Sequence, residues 1–195
     1  LEGLPGREVG QELRARARHR GIESGHPERR RGDVDGREGG DAPEGTDIWA
    51  VANGYRMILA GGRDAWMVAN LLAEKKIPVI YESVFELPAR DTASYEVHFK
   101  APAVLYKAGV RVVFSEGSGA PSATQVRNLP YAAAQALAFG LPPDEALKGI
   151  TLYAAQVLQV ADRLGSIETG KEASLFAADG DILDIRSQVK RMWIG

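Results

Sequence analysis

Two acidic side chains stand directly after apolar runs of the sequence. Glu82 follows residues 77–81 (IPVIY), and Glu116 follows residues 110–115 (VRVVFS). A carboxylate at the carboxyl end of a buried strand is where α/β barrels place catalytic groups, and it can take up or give up a proton there. We therefore predict Glu116 and Glu82 as catalytic residues, with a solvated loop acid as the simpler alternative for each.

His98 is the third candidate for catalysis. It is the last residue of a long predicted loop, residues 82–98, that carries several charged residues. An imidazole can act as a base near neutral pH or bind a metal ion. A single histidine is more often structural or exposed, so both interpretations of His98 stay open at this point.

Three further side chains are candidates for substrate binding. Arg63 follows two glycines at the end of an apolar run, and it can bind an anionic group together with the amino end of the next helix. Arg127 and Asn128 directly precede a predicted helix and would face the mouth of a barrel. Capping of that helix by Asn128 is the simpler account of the asparagine.

Strand and helix signals alternate along residues 46–161. Three apolar runs are each followed by a helical pattern: residues 55–60, 77–81 and 110–115. Such an alternation predicts βα units with parallel strands and right-handed crossovers. About 105 residues cannot close an eight-stranded barrel, which needs roughly 250. We therefore expect a partial barrel.

The pattern changes in residues 162–195, where short apolar runs are separated by glycine and aspartate turns. We predict strands at residues 165–167, 170–171, 173–177 and 189–194.

Residues 1–45 differ sharply in composition from the rest. They hold nine of the seventeen arginines and ten of the twenty-two glycines, but no lysine and no aromatic residue. Such a segment cannot bury enough apolar surface to offset chain entropy, which predicts a disordered head. A GC-rich gene read out of frame gives the same composition. An Arg/Gly-rich arm can also bind nucleic acid, but ten interleaved acidic residues would largely cancel its field, so we regard nucleic acid as the least favoured partner.

Composition excludes several classes of protein. The net charge of −2 gives no attraction to polyanions, and the absence of cysteine rules out disulfides and thiolate metal sites. The first twenty residues lack the apolar core of a signal peptide, and we find no apolar run long enough for a membrane span. The sequence therefore assigns no compartment, and the cytoplasm is the default expectation.

Three separated segments resemble the imidazolonepropionase-like branch of the metal-dependent amidohydrolases: NLPY at 128–131, EALKGIT at 145–151 and RLGSIETGKEASLFAADGDILD at 163–184. The resemblance implies an α/β fold, with a partial TIM barrel over residues 46–161 and part of a small β-sandwich over residues 162–195. It also implies hydrolysis of a non-peptide C–N bond, such as an amide or cyclic imide, assisted by a divalent metal ion that is usually zinc.

The sequence departs from that family where metal ions are bound. No His-x-His pair is present, and Glu116 stands near the position of the family's metal-binding aspartate. Since the histidines are His19, His26 and His98, we cannot assemble three or four protein ligands for zinc. We expect a small-molecule substrate but no activity from this chain alone. The alternatives are a non-catalytic ligand-binding module and an assembly module, and open sheet edges predict self-association.

Overall fold

The computed structural model of this chain describes residues 55–88, 90–117 and 120–195. Residues 58–195 form one compact unit. The predicted head, residues 1–45, lies outside the described residues, so its predicted disorder stays a prediction.

A parallel sheet is the centre of this unit. Its strands lie in the order β1-β2-β3 and comprise β1 (Leu59–Ala60), β2 (Val79–Tyr81) and β3 (Val112–Phe114). All pairs are parallel, with Ala60 opposite Ile80 and Tyr81 opposite Phe114. The predicted parallel arrangement is confirmed. The strands are shorter than the apolar runs that predicted them, and most of the difference lies at their amino ends, where residues 55–58, 77–78 and 110–111 are outside the strands.

Six α-helices follow or connect these strands in the described residues. They are α1 (Ala69–Glu74), α2 (Val97–Lys107), α3 (Ala120–Gln125), α4 (Leu129–Ala138), α5 (Pro143–Ile150) and α6 (Leu152–Val157), with 3₁₀ turns at Ala65–Val68 and Val126–Asn128. The sequence predicts a helix over residues 99–108, and α2 begins two residues earlier. His98 therefore lies in the first turn of a helix and not at the end of a loop.

The helix ends confirm some expectations and correct others. Gly109 and Gly140 adopt φ values of +93° and +102° after α2 and α4, as expected of glycines that terminate helices. The sequence predicts that Asp64 caps the helix after β1, as Asn128 caps α4, and both predictions are wrong, since neither side chain makes a capping hydrogen bond. Asn128 already has helical backbone angles at the end of a 3₁₀ turn, and its amide donates to the Gln125 side chain over 2.7 Å.

The core lies between the sheet and helices α2, α4 and α5. Helix α5 approaches β3 closely because position 149 is a glycine. A Cβ atom at Gly149 would lie 2.8 Å from the ring of Phe114, which is itself buried. The ring of Phe114, the last residue of β3, thus sets the spacing between β3 and α5.

The last part of the chain forms an antiparallel hairpin of β4 (Leu175–Ala178) and β5 (Val189–Trp193), with an irregularity in the register at Ala177/Ala178. Residues 165–167 and 170–171, which were predicted as strands, form turns instead. Gly165 and Gly170 have φ values of +92° and +93°, and this conformation bends the chain. No helix in the described residues is long and apolar enough to cross a bilayer.

Candidate functional site

The carboxyl ends of the three parallel strands meet along one side of the sheet. We call residues 61–64, 82–86 and 115–117, which follow β1, β2 and β3, the carboxyl edge. Backbone hydrogen bonds extend to its first residues, with the Gly61 amide donating to the Ile80 carbonyl over 3.0 Å and the Ser115 amide to the Tyr81 carbonyl over 3.1 Å. The carboxyl edge is therefore positioned by the sheet itself.

Glu82 lies between the ends of the two neighbouring strands. A Cβ atom built on Gly61 would lie 3.8 Å from Glu82 Oε2, and one built on Gly117 would lie 3.4 Å from the same oxygen. Both glycines have positive φ, at +80° and +88°. Two residues without side chains therefore leave the space that the carboxylate of Glu82 occupies.

Glu116 directly follows Ser115 at the end of β3, one residue before Gly117. The Ser115 hydroxyl accepts a hydrogen bond from the Gly117 amide over 3.0 Å, which shapes the turn around Glu116. The side chain is half-buried, and this burial raises the pKa of Glu116 above its ordinary value. A carboxyl with a raised pKa is better matched to proton transfer near neutral pH than an ordinary surface acid.

His98 is built into the core, with 1% of its surface exposed. Its Nδ1 atom lies 2.9 Å from the hydroxyl of Tyr81, and its Nε2 atom accepts a hydrogen bond from Arg63 Nε over 3.4 Å. Burial, and then the charge of Arg63, lower the pKa of His98. The hydrogen bond from Arg63 Nε needs a lone pair on Nε2, so it favours the neutral ring with its proton on Nδ1. Both ring nitrogens are thus engaged within the fold.

Arg63 links the carboxyl edge to the loop between β2 and α2. Its Nε lies 3.4 Å from Glu86 Oε2, and its Nη2 donates a hydrogen bond to the Leu87 carbonyl. A second ion pair has its arginine in the loop and its carboxylate after β1, with Arg90 Nη2 lying 3.5 Å from Asp64 Oδ2. The guanidinium that the sequence indicated for an anionic ligand therefore already has partners within the protein.

The candidates fall into separate groups. Arg63 and His98 contact each other, and Glu82 lies beside Gly117, which directly follows Glu116. Arg127 and Asn128 lie on the 3₁₀ turn between α3 and α4, where Arg127 is exposed and Asn128 bonds to Gln125.

Tyr81 and Glu86 were missed by the sequence-based reasoning. Tyr81 is fully buried, and burial raises the pKa of its hydroxyl well above the ordinary value. The sequence does offer one indication for Tyr81, since a tyrosine that ends a buried strand needs a hydrogen-bond partner for its hydroxyl.

The described residues do not fit a zinc site on their own. No group of three or more His, Cys, Asp or Glu side chains in the described part of the chain is placed to hold a metal ion. His98 offers no free lone pair, and the guanidinium of Arg63 at Nε2 would repel a cation. Of the four carboxylates at the carboxyl edge, Asp64 and Glu86 form ion pairs with arginines, whereas structural and catalytic zinc sites use three or four protein ligands. We therefore derive no chemical step through a metal ion.

Comparisons with known proteins agree on one family. The profile of the amidohydrolase family matches residues 10–194. An imidazolonepropionase from Erwinia tasmaniensis is 57% identical over 35 residues, which are 18% of this chain and 9% of that protein. The crystal structure of an amidohydrolase from Thermotoga maritima MSB8 superposes with a TM-score of 0.61 at 28% identity, covering 76% of this chain and 38% of that one. The structure of an uncharacterized protein gives a TM-score of 0.51 at 25% identity, covering 71% and 37%.

This chain therefore spans well under half the length of the relatives that it matches. The neighbours imply a TIM-barrel-type fold that the chain covers in part, as the parallel βα arrangement of residues 58–157 also indicates. These matches support a hydrolase-related function in general. With a family profile matched over almost its whole length, the chain belongs to the amidohydrolase family.

Proposed function

We propose that the chain serves the hydrolysis of a non-peptide C–N bond in a small molecule, such as an amide or a cyclic imide, with Glu116 and Glu82 transferring protons. The observation that carries this proposal is the half-buried carboxyl of Glu116, whose pKa is raised by burial, at a strand end of an amidohydrolase-family protein. Glu82 supplies a second carboxylate at the adjoining strand end.

Hydrolysis of a C–N bond needs a proton removed from water and a proton given to the leaving nitrogen. Glu116 is suited to one of these transfers because its raised pKa leaves it able to hold a proton closer to neutral pH. Glu82 would take part in the other transfer or stabilise positive charge at the carboxyl edge. General acid–base catalysis of this kind contributes about 10²–10⁴-fold to a rate.

The remaining candidates have supporting roles in this proposal. Arg127 and Asn128 would contact substrate at the mouth of the barrel, and Arg63 would do so only by giving up Glu86 or the Leu87 carbonyl. The family's divalent metal ion, zinc by resemblance, would need ligands from outside the described residues. We therefore propose that the 195-residue chain alone does not turn over substrate.

The first test is metal analysis and an activity assay of the purified 195-residue chain, supplied with zinc. We expect substoichiometric zinc and no hydrolysis of a panel of N-acyl amino acids and cyclic imides. One zinc per chain together with turnover would contradict inactivity of the chain alone. In that case Glu116→Gln would be compared with a control, Glu74→Gln, on the exposed face of α1. Equal turnover in the two variants would contradict the assignment of Glu116 as well.

A non-catalytic ligand-binding module is the second candidate. It is favoured by the engagement of Arg63 and His98 in contacts that hold the protein together. Isothermal titration with the same cyclic imides and N-acyl amino acids separates the two functions. Binding without turnover, weakened by Glu116→Gln but not by Glu74→Gln, would indicate the binding module.

We also expect the chain to self-associate. In the described residues β1 and β3 each have one neighbouring strand, and β5 is exposed on both faces with Met192 and Trp193 among its side chains. Unpaired edges and an uncovered two-stranded hairpin favour association. Sedimentation velocity should show a molecular mass that rises with concentration, less so for Met192→Lys than for the control Gln188→Lys. A monomer at every concentration would contradict this expectation.

A further inference from the structure

We infer that His98 is a positioning residue, whose neutral ring holds Arg63 against Glu86 and Leu87 in the loop between β2 and α2, and that protonation of this ring releases the loop from Arg63. This inference concerns a conformational property of residues 82–88 and 90–96. It does not depend on the proposed hydrolysis.

The contacts form a continuous path across three elements. The path starts at the Tyr81 hydroxyl at the end of β2, which lies 2.9 Å from His98 Nδ1 in α2. It continues from His98 Nε2 to Arg63 Nε over 3.4 Å. It ends where Arg63 contacts the carboxylate of Glu86 and the carbonyl of Leu87 in the loop.

Burial makes this path sensitive to the charge of the ring. Tyr81 and His98 are almost completely buried, so neither can readily replace its partner with water. Arginine stays charged at every relevant pH. A second proton on the ring would occupy Nε2, which removes the acceptor for Arg63 Nε and places two positive groups against each other. The contact of Arg63 with His98 therefore requires a neutral ring.

Groups on several neighbouring elements affect the charge of His98. The positive charge of Arg63 opposes protonation, whereas Glu86 and the Leu87 carbonyl in the loop and Asp64 after β1 favour it. The 3₁₀ turn Ala65–Val68, helix α4 and strand β3 also pack on α2, and they contribute no charged residue over residues 65–68, 129–138 and 112–114. The effects of burial and of the Arg63 charge are larger than those of the groups that favour protonation, so the pKa of His98 lies below its ordinary value.

The direction of the pH dependence follows from this shift. An exposed histidine titrates near about 6.5, and the ring in the closed arrangement titrates at a lower pH. The open and unfolded forms therefore bind more protons in this range, so the closed arrangement is fully favoured above about 6.5 and loses stability as the pH falls.

The test is hydrogen exchange of the full chain at pH 7.5 and pH 5.0, corrected for intrinsic exchange rates. Residues 82–88 and 90–96 should lose about tenfold in protection at pH 5.0, because an exposed histidine is largely protonated there and the closed form binds that proton less readily. In His98→Gln the amide can still accept from Arg63 but does not titrate, so the loss should disappear. The other two histidines provide the control, because His19→Gln combined with His26→Gln should behave like the unchanged chain.

A second variant covers the case in which His98→Gln does not fold. In Arg63→Gln the loop should be poorly protected at both pH values, and Arg63→Lys should restore only part of the protection. Loop protection that is independent of pH in the unchanged chain would overturn the inference. So would a pH-dependent loss that persists in His98→Gln, or a nitrogen NMR titration giving His98 a pKa of about 6.5 or above.

Discussion

Gly165→Ala is expected to lower the free energy of unfolding by about 3 kcal/mol, and Gly170→Ala by only about 1 kcal/mol. The two glycines have nearly the same φ, +92° and +93°, so the strain from a left-handed backbone is shared. Their surroundings differ. A Cβ at Gly165 would lie 2.6 Å from Ala155 Cβ and 3.0 Å from Leu152 Cα, whereas nothing lies within 4 Å of one at Gly170.

Comparing the two variants therefore separates the loss of stability that comes from steric overlap from the loss that comes from backbone conformation. Urea unfolding at low micromolar concentration, where association is suppressed, gives both values. Equal losses for the two variants would show that α6 moves away from residue 165 easily. That result would contradict the close packing of the turn on this helix.

Phe114→Ala should cost about 3–5 kcal/mol, the usual range for a buried aromatic residue. Phe114 is 4% exposed and lies against Gly149, so its removal leaves a cavity between β3 and α5. The matched control is Phe85→Ala, because that ring is 56% exposed and should cost less than about 1 kcal/mol.

The same urea titration measures the effect of Phe114→Ala. Because Phe114 is followed by Ser115 and Glu116, the chemical shifts of Glu116 should change as well. A loss of less than about 1 kcal/mol, with the shifts of Glu116 unchanged, would show that the end of β3 is positioned from elsewhere.

Much of the architecture could be predicted from local patterns. Apolar runs that alternate with helical patterns predicted three parallel strands, and Gly109 and Gly140 lie where α2 and α4 end. Strand lengths were overestimated at the amino ends, since hydrophobicity does not reveal at which residue pairing with the next strand begins. The turns at Gly165 and Gly170 were predicted as strands because a positive φ is not visible in an apolar pattern.

The candidate site was less accessible to such reasoning because its contacts join distant residues. The partners of His98 lie 17 and 35 residues away, at Tyr81 and Arg63, and no local period brings them together. The position of Glu82 likewise depends on two glycines in other strand-end turns. Residue type and strand-end location identified Glu82 and Glu116 as candidates, but not what surrounds them.

The glycines on either side of Glu82 constrain any redesign of this protein into a metalloenzyme. An engineered imidazole at position 61 would need a backbone with φ of +80°, which residues with side chains rarely adopt, and its Cβ would start 3.8 Å from the carboxylate already there. That distance is an ordinary van der Waals contact, so the backbone at position 61, and not the carboxylate of Glu82, is the obstacle to such a graft.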